Sequence, residues 1–86
     1  MKRVIIEVEG EGLLKLIGGP VLLLCTDYFY HGTLVGVNDD CVYLKDASIV
    51  YETGEFTDKA YKNAQKLPAK EWYVRIESIE SFGIGL

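Results

Sequence analysis

From Val21 to Tyr51 the chain is written mainly in strand-forming residues. Val21 to Thr26 is mostly apolar, and Tyr28-Phe29-Tyr30 extends the run. Thr33, Val35 and Val37 then alternate with Leu34 and Gly36, and Cys41-Val42-Tyr43-Leu44 leads through Lys45-Asp46-Ala47 to Ser48–Tyr51. β-Branched and aromatic residues at a period of two fit a pleated, half-buried surface. Two interruptions set the shape. Gly32 inside a strand pattern marks a sharp bend, and Asn38-Asp39-Asp40 is a compact turn. Few strands, strongly bent and joined by short turns, predict a mainly β domain: a small antiparallel sheet curled into a half-open barrel.

The flanks add smaller elements. Val4–Val8 alternates weakly and is β-branched, which suits a short strand or the lead-in to a helix. Glu11–Ile17 predicts a short N-terminal helix with Leu13, Leu14 and Ile17 on one face, ended by Gly18-Gly19-Pro20. Between about residues 52 and 70 the rhythm changes. Phe56, Ala60, Ala64 and Leu67 recur at helical spacing, and Glu55 with Lys59 and Asp58 with Lys62 form favourable i,i+4 pairs. This predicts a helical insertion closed by Pro68. Two further strands follow, Trp72–Ile76 with Trp72, Val74 and Ile76 on one face, and another within Ser78–Ile84. The expected fold is a five-stranded antiparallel sheet with an N-terminal helix and a helical insertion before the fourth strand. It forms a single domain over residues 1–86.

Composition narrows the function classes. The 86 residues carry 9 Lys+Arg against 13 Asp+Glu, a net charge of −4. That opposes capture of nucleic acid by the whole surface. Val21–Cys25 is the longest apolar run, too short to span a bilayer, so no membrane partner is expected. Met1-Lys2-Arg3 before Val4-Ile5-Ile6 has the look of a signal sequence, but Glu7 and Glu9 interrupt it. Cys25 and Cys41 lie in apolar segments and read as small buried hydrophobes of a reducing, cytoplasmic compartment. One histidine and no cysteine pair at ligand spacing predict neither metal nor cofactor. His31 lacks a nucleophile with an orienting acid, so no enzyme is expected. Apolar residues make up 49% of the chain, more than so small an interior needs, and the excess suits burial against a partner.

The segment Tyr30-His31-Gly32-Thr33-Leu34, followed by Leu44-Lys45-Asp46-Ala47, resembles the first Sm motif of Sm and Sm-like (LSm) proteins: aromatic-x-G-x-L, then L-x-D-A. Val74-Arg75-Ile76-Glu77-Ser78-Ile79 is similar to the second motif, I-R-G-x-[N or S]-[I or V]. The resemblance covers about residues 11 to 84. It implies the bent five-stranded fold, a closed ring of about five to seven copies of the chain, and single-stranded RNA as a partner. It places RNA contacts at Arg75, Ser78, Asn38 and Cys41. The departures are specific. Asn38 stands at the family's acidic position, Cys41 at its base-binding Asn, Asp40 at its base-stacking residue, and Ile76 at the Gly of I-R-G. Cysteine is a weak donor, and an aspartate neither stacks on a base nor tolerates phosphate. The expected RNA binding is therefore without strong base specificity, and a ring serving protein assembly alone is the competing reading.

Other candidates each carry a plainer alternative. Arg75 can hold a phosphate or pair with Glu77 or Glu71. Lys59, Lys62 and Lys66, with Lys70 beyond, form a basic stripe if the insertion is helical, or simply a solvated face. Tyr28, Phe29 and Tyr30 offer a stacking platform or ordinary packing. Asp39 and Asp40 suit a turn better than a cation site. Trp72, Val74, Phe82 and Ile84 are the expected subunit interface. They lie on the two strands whose edges an open sheet leaves unpaired.

Overall fold

The computed structural model describes residues 11–55, 57 and 59–86. The expected strand at Val4–Val8, and Phe56 and Asp58 of the expected helical stripe, lie outside the described residues. Among the described residues, six antiparallel strands form one open sheet: β1 (Pro20–Cys25), β2 (Phe29–Val37), β3 (Cys41–Glu52), β4 (Asn63–Lys66), β5 (Glu71–Arg75) and β6 (Ile79–Ile84). The order is β4-β3-β2-β1-β6, with β5 also paired to β3. β3 is long enough to hold two partners along one edge. Cys41–Lys45 pairs with β5, and Ser48–Glu52 pairs with β4.

Alternation builds the core. Val21, Leu23 and Cys25 of β1, Leu34 of β2, Val42 and Leu44 of β3, and Val74 of β5 turn inward and are buried. The inward spacing in β3 then jumps from Leu44 to Ala47. The cause is a bulge: Thr33 opposes Lys45 while His31 opposes Ser48, so β3 carries one residue more than β2. Asp46 sits at that bulge with φ of 51°, a left-handed conformation that Asp tolerates better than most residues. Gly32 faces it, where the strands press together and the sheet folds over its core. The bend expected at Gly32 is therefore a glycine bend plus a bulge across the strand pair.

Two expected elements are corrected. In place of a helix over Glu11–Ile17 there is one 3-10 turn, Leu13–Leu16, with Leu13 buried and Ile17 exposed. Gly12, at φ 76°, precedes the turn without a side-chain cap, and Gly18 follows it, so too few residues remain to propagate an α-helix. Among the described residues the helical insertion is absent as well. Its second half is β4, with Ala64 opposite Val50 and Gln65 opposite Ile49. Ala60 and Ala64 are exposed, and of the stripe's described residues only Leu67 packs against the core. Alanines bury little area, whereas the outer half of β3 gains a ladder of backbone hydrogen bonds, so strand pairing wins. That pairing is why the sheet has six strands instead of five. No described helix is long and apolar enough to cross a membrane.

Candidate nucleic-acid interface

Two turns meet at one end of the sheet. The β2–β3 turn holds Asn38, Asp39 and Asp40, and a 3-10 turn, Ile76–Ser78, joins β5 to β6. Cys41 pairs with Arg75, and the Ile76 amide donates to the Asp40 carbonyl at 2.8 Å. Together they line a cleft of about 240 Å³ formed by Asp39, Asp40, Cys41, Arg75, Ile76 and Glu77.

Each expected contact has a definite local role. The Asn38 Oδ1 accepts the amides of Asp40 at 2.8 Å and Cys41 at 2.7 Å, which fixes the turn. The Ser78 hydroxyl donates to the Arg75 carbonyl at 2.8 Å and closes the 3-10 turn. Cys41 is half-buried in the cleft wall. Arg75 is largely exposed and forms an ion pair with Glu77, itself exposed. Arg75, Asn38 and Cys41 thus come together across the two turns, while the Ser78 hydroxyl is turned to the backbone. The cleft holds one cation against the three carboxylates of Asp39, Asp40 and Glu77. Its net charge opposes phosphate, and the Arg75 guanidinium is the group there that favours an anion.

Behind this end, Cys25 is buried beside Ser78 and Glu80. Burial pushes its thiol up, the neighbouring Ser78 side chain works the other way, and the Glu80 charge adds to the rise. Tyr30 is also raised, by burial first and then by Cys25, Tyr28 and Asp27. Tyr28 and Tyr30 meet edge to face at 6.5 Å, and Tyr30 packs against the core. They do not form one flat platform.

The lysines do not share a helical face. Lys62 pairs with Glu52 at 3.5 Å, Lys66 lies in β4 opposite Ser48, and Lys59 lies in the preceding bend. His31 Nε2 lies 2.8 Å from the Leu86 carbonyl oxygen, against the ring of Tyr61.

The expected interface residues share one face. Trp72 and Val74 oppose Leu44 and Val42, and Phe82 and Ile84 oppose Leu23 and Val21. Directly opposed residues project to the same side, so all four lie on the face that carries the core. Val74 is buried there and Trp72 packs against the core, but Phe82 is 43% exposed and Ile84 78%.

Tyr43 and Tyr73 form a stacked pair that no sequence motif marks, with ring centroids 5.0 Å apart. Tyr43 lies between inward Val42 and Leu44, and Tyr73 between Trp72 and Val74, so each was legible as outward-facing. Their contact depends on the β3–β5 register, which a single strand does not reveal. Compared with models of known protein families and with curated proteins, the chain matches none.

Proposed function

We propose that this chain is a ring-forming, Sm-like protein that handles single-stranded RNA weakly and without strong base specificity. The observation that carries the assembly is the position of Phe82 and Ile84. They lie on the core face, registered against buried Leu23 and Val21, at an edge where the sheet stops before closing. Apolar groups there gain most from a cover that continues the sheet. A second copy supplies one: its β5 edge continues the sheet and brings Trp72 on the same face. The contact is head-to-tail, so it repeats and closes when the rotation permits, at about five to seven copies. Light scattering at micromolar concentration tests this. A ring of several times the 9.6 kDa chain mass is expected, and Phe82→Asp should give folded monomers. A wild-type monomer under those conditions sinks the assembly.

The RNA role rests on Arg75, an exposed guanidinium at the meeting of the two turns. Symmetry repeats it as a collar around the ring axis, and a collar of guanidinium groups can hold a phosphate backbone despite a negative net charge. Asp39, Asp40 and Glu77 are repeated as often, which makes the binding weak and salt-sensitive. Filter binding of oligouridylate at low salt is the direct assay. A ring that retains no RNA at all points to the protein-assembly role alone.

A further inference from the structure

On the outer face of the sheet, one residue from each of three adjacent strands falls in a row. Gly36 of β2 opposes Tyr43 of β3, and Tyr43 opposes Tyr73 of β5. The tyrosine rings stack, with planes 29° apart, and Tyr73 is 60% exposed. Neighbouring strands lie about 4.8 Å apart, so side chains in such a row stand at nearly ring-stacking distance. The third place is vacant because Gly36 has no side chain, and a Cβ there would meet nothing within 4 Å. The vacancy belongs to a cleft of about 230 Å³ lined by Gly36, Val37, Asn38, Cys41, Tyr43 and Tyr73.

The rim supplies a fixed donor. Asn38 Oδ1 is committed to two backbone amides, which sets the plane of its carboxamide. Both partners are N–H groups, so the oxygen must face them, and the Nδ2 group remains as a donor in a known orientation.

We propose that this cleft binds a purine base. The base would stand on Gly36, stack against Tyr43 on the side opposite Tyr73, and accept a hydrogen bond from Asn38. Asp39 and Asp40 in the adjoining turn disfavour a phosphate placed beside it. A purine offers more stacking area than a pyrimidine. The site lies within one copy of the chain and on the outer face, so it does not depend on ring formation or on Arg75.

Two sources carry a purine base, a free nucleoside and a single strand, and two probes separate them. Adenosine and a hexamer of oligoadenylate are titrated into the isotopically labelled protein, followed by NMR. Adenosine at millimolar concentration should shift the Gly36, Tyr43 and Tyr73 signals in a saturable way. AMP should bind more weakly than adenosine. Tyr43→Ala should weaken adenosine roughly ten-fold, within the range for one stacked base. Gly36→Leu fills the vacant place without a backbone clash, so it should melt like the parent and lose the shifts. If the hexamer binds more tightly per site and Gly36→Leu abolishes it too, the base comes from a strand. If adenosine binds and the hexamer does not, it comes from a nucleoside. The proposal is overturned if neither probe shifts these residues, or if Gly36→Leu binds as well as the parent. Light scattering on the same samples reports assembly separately.

Discussion

Gly32 lies so close to Ala47 that a β-carbon on Gly32 would come within 3.2 Å of the Ala47 Cα, and within 3.0 Å of the Lys45 carbonyl oxygen. The contact is backbone against backbone, with no flexible side chain to yield. Gly32→Ala should therefore destabilise the fold by about 1–3 kcal/mol, the range for overpacking. Gly36→Ala, four residues along the same strand, meets nothing and should be tolerated. Urea denaturation of the two variants side by side measures the difference. Equal midpoints would contradict the tight bend.

Across the bend, Asp46 holds a positive φ. Asp46→Asn should be nearly neutral, because Asn tolerates the left-handed region. Asp46→Val should cost about 1–2 kcal/mol, since a β-branched residue is strained there. Thermal melts of both variants check this, and a stable Val variant would mean that the bulge rearranges.

The strands of the meander, the bend at Gly32 and the inward faces of Trp72 and Val74 were all legible, because half-buried strands write their alternation into the sequence. The 3-10 turn and β4 were not. Leu13 and Leu16 fit either a helix or one tight turn, and Gly12 decides between them only once its left-handed φ is known. Ala60 and Ala64 sit at helical spacing by coincidence. β4 forms because β3 extends past its pairing with β5, a relation between segments more than ten residues apart. At the site, the sequence pattern placed Asn38 in a turn and Arg75 on a strand, as the structure does. The sequence did not show that Asn38 Oδ1 serves the backbone, or that Glu77 sits against Arg75.

Ala60 and Ala47 should respond oppositely to the same substitution. Ala60 is exposed, so Ala60→Asp should change stability by no more than about 0.5 kcal/mol, where a buried helix face would have made it severe. Ala47 is fully buried, and Ala47→Asp should cost several kcal/mol or prevent folding. Chemical denaturation compares them.

Alkaline pH should weaken the fold. Burial raises the Cys25 thiol above its ordinary value of 9.0. Tyr30 and Tyr43 lie above 10.0, each through burial first, with the Glu71 hydrogen bond and charge adding to Tyr43. The folded state therefore keeps these protons at pH values where the unfolded chain has lost them. Stability is complete below the ordinary values and falls as pH climbs from about 9 through the raised ones. Melting temperature followed from pH 7 to 11 should decline over the upper part of that range. Cys25→Ala should remove the earliest part of the decline; an unchanged profile would show that Cys25 contributes nothing.

At the paired turns, Arg75→Ala should weaken any retained RNA binding for all sequences alike, because it removes a phosphate contact and no base contact. Asp40→Asn should strengthen it by removing a repelling charge from each copy. Fluorescence anisotropy with labelled oligouridylate and oligoadenylate at two salt concentrations reads both effects. Loss confined to one sequence would place the Arg75 contact on a base.

β4 has four residues, all exposed, and is joined to the sheet by its pairing with β3. Such a segment belongs to the least protected part of a molecule, and its amides should exchange with solvent far sooner than those of β1 or β2. When it lifts, the outer half of β3 presents a bare row of donors and acceptors beside Val50, which is otherwise covered. That transient vacancy is the place where a second chain would most easily enter by mistake. Four polar or small residues, Asn63, Ala64, Gln65 and Lys66, thus cover that row, and Lys66 carries the kind of charge that edge strands commonly use against wrong pairing.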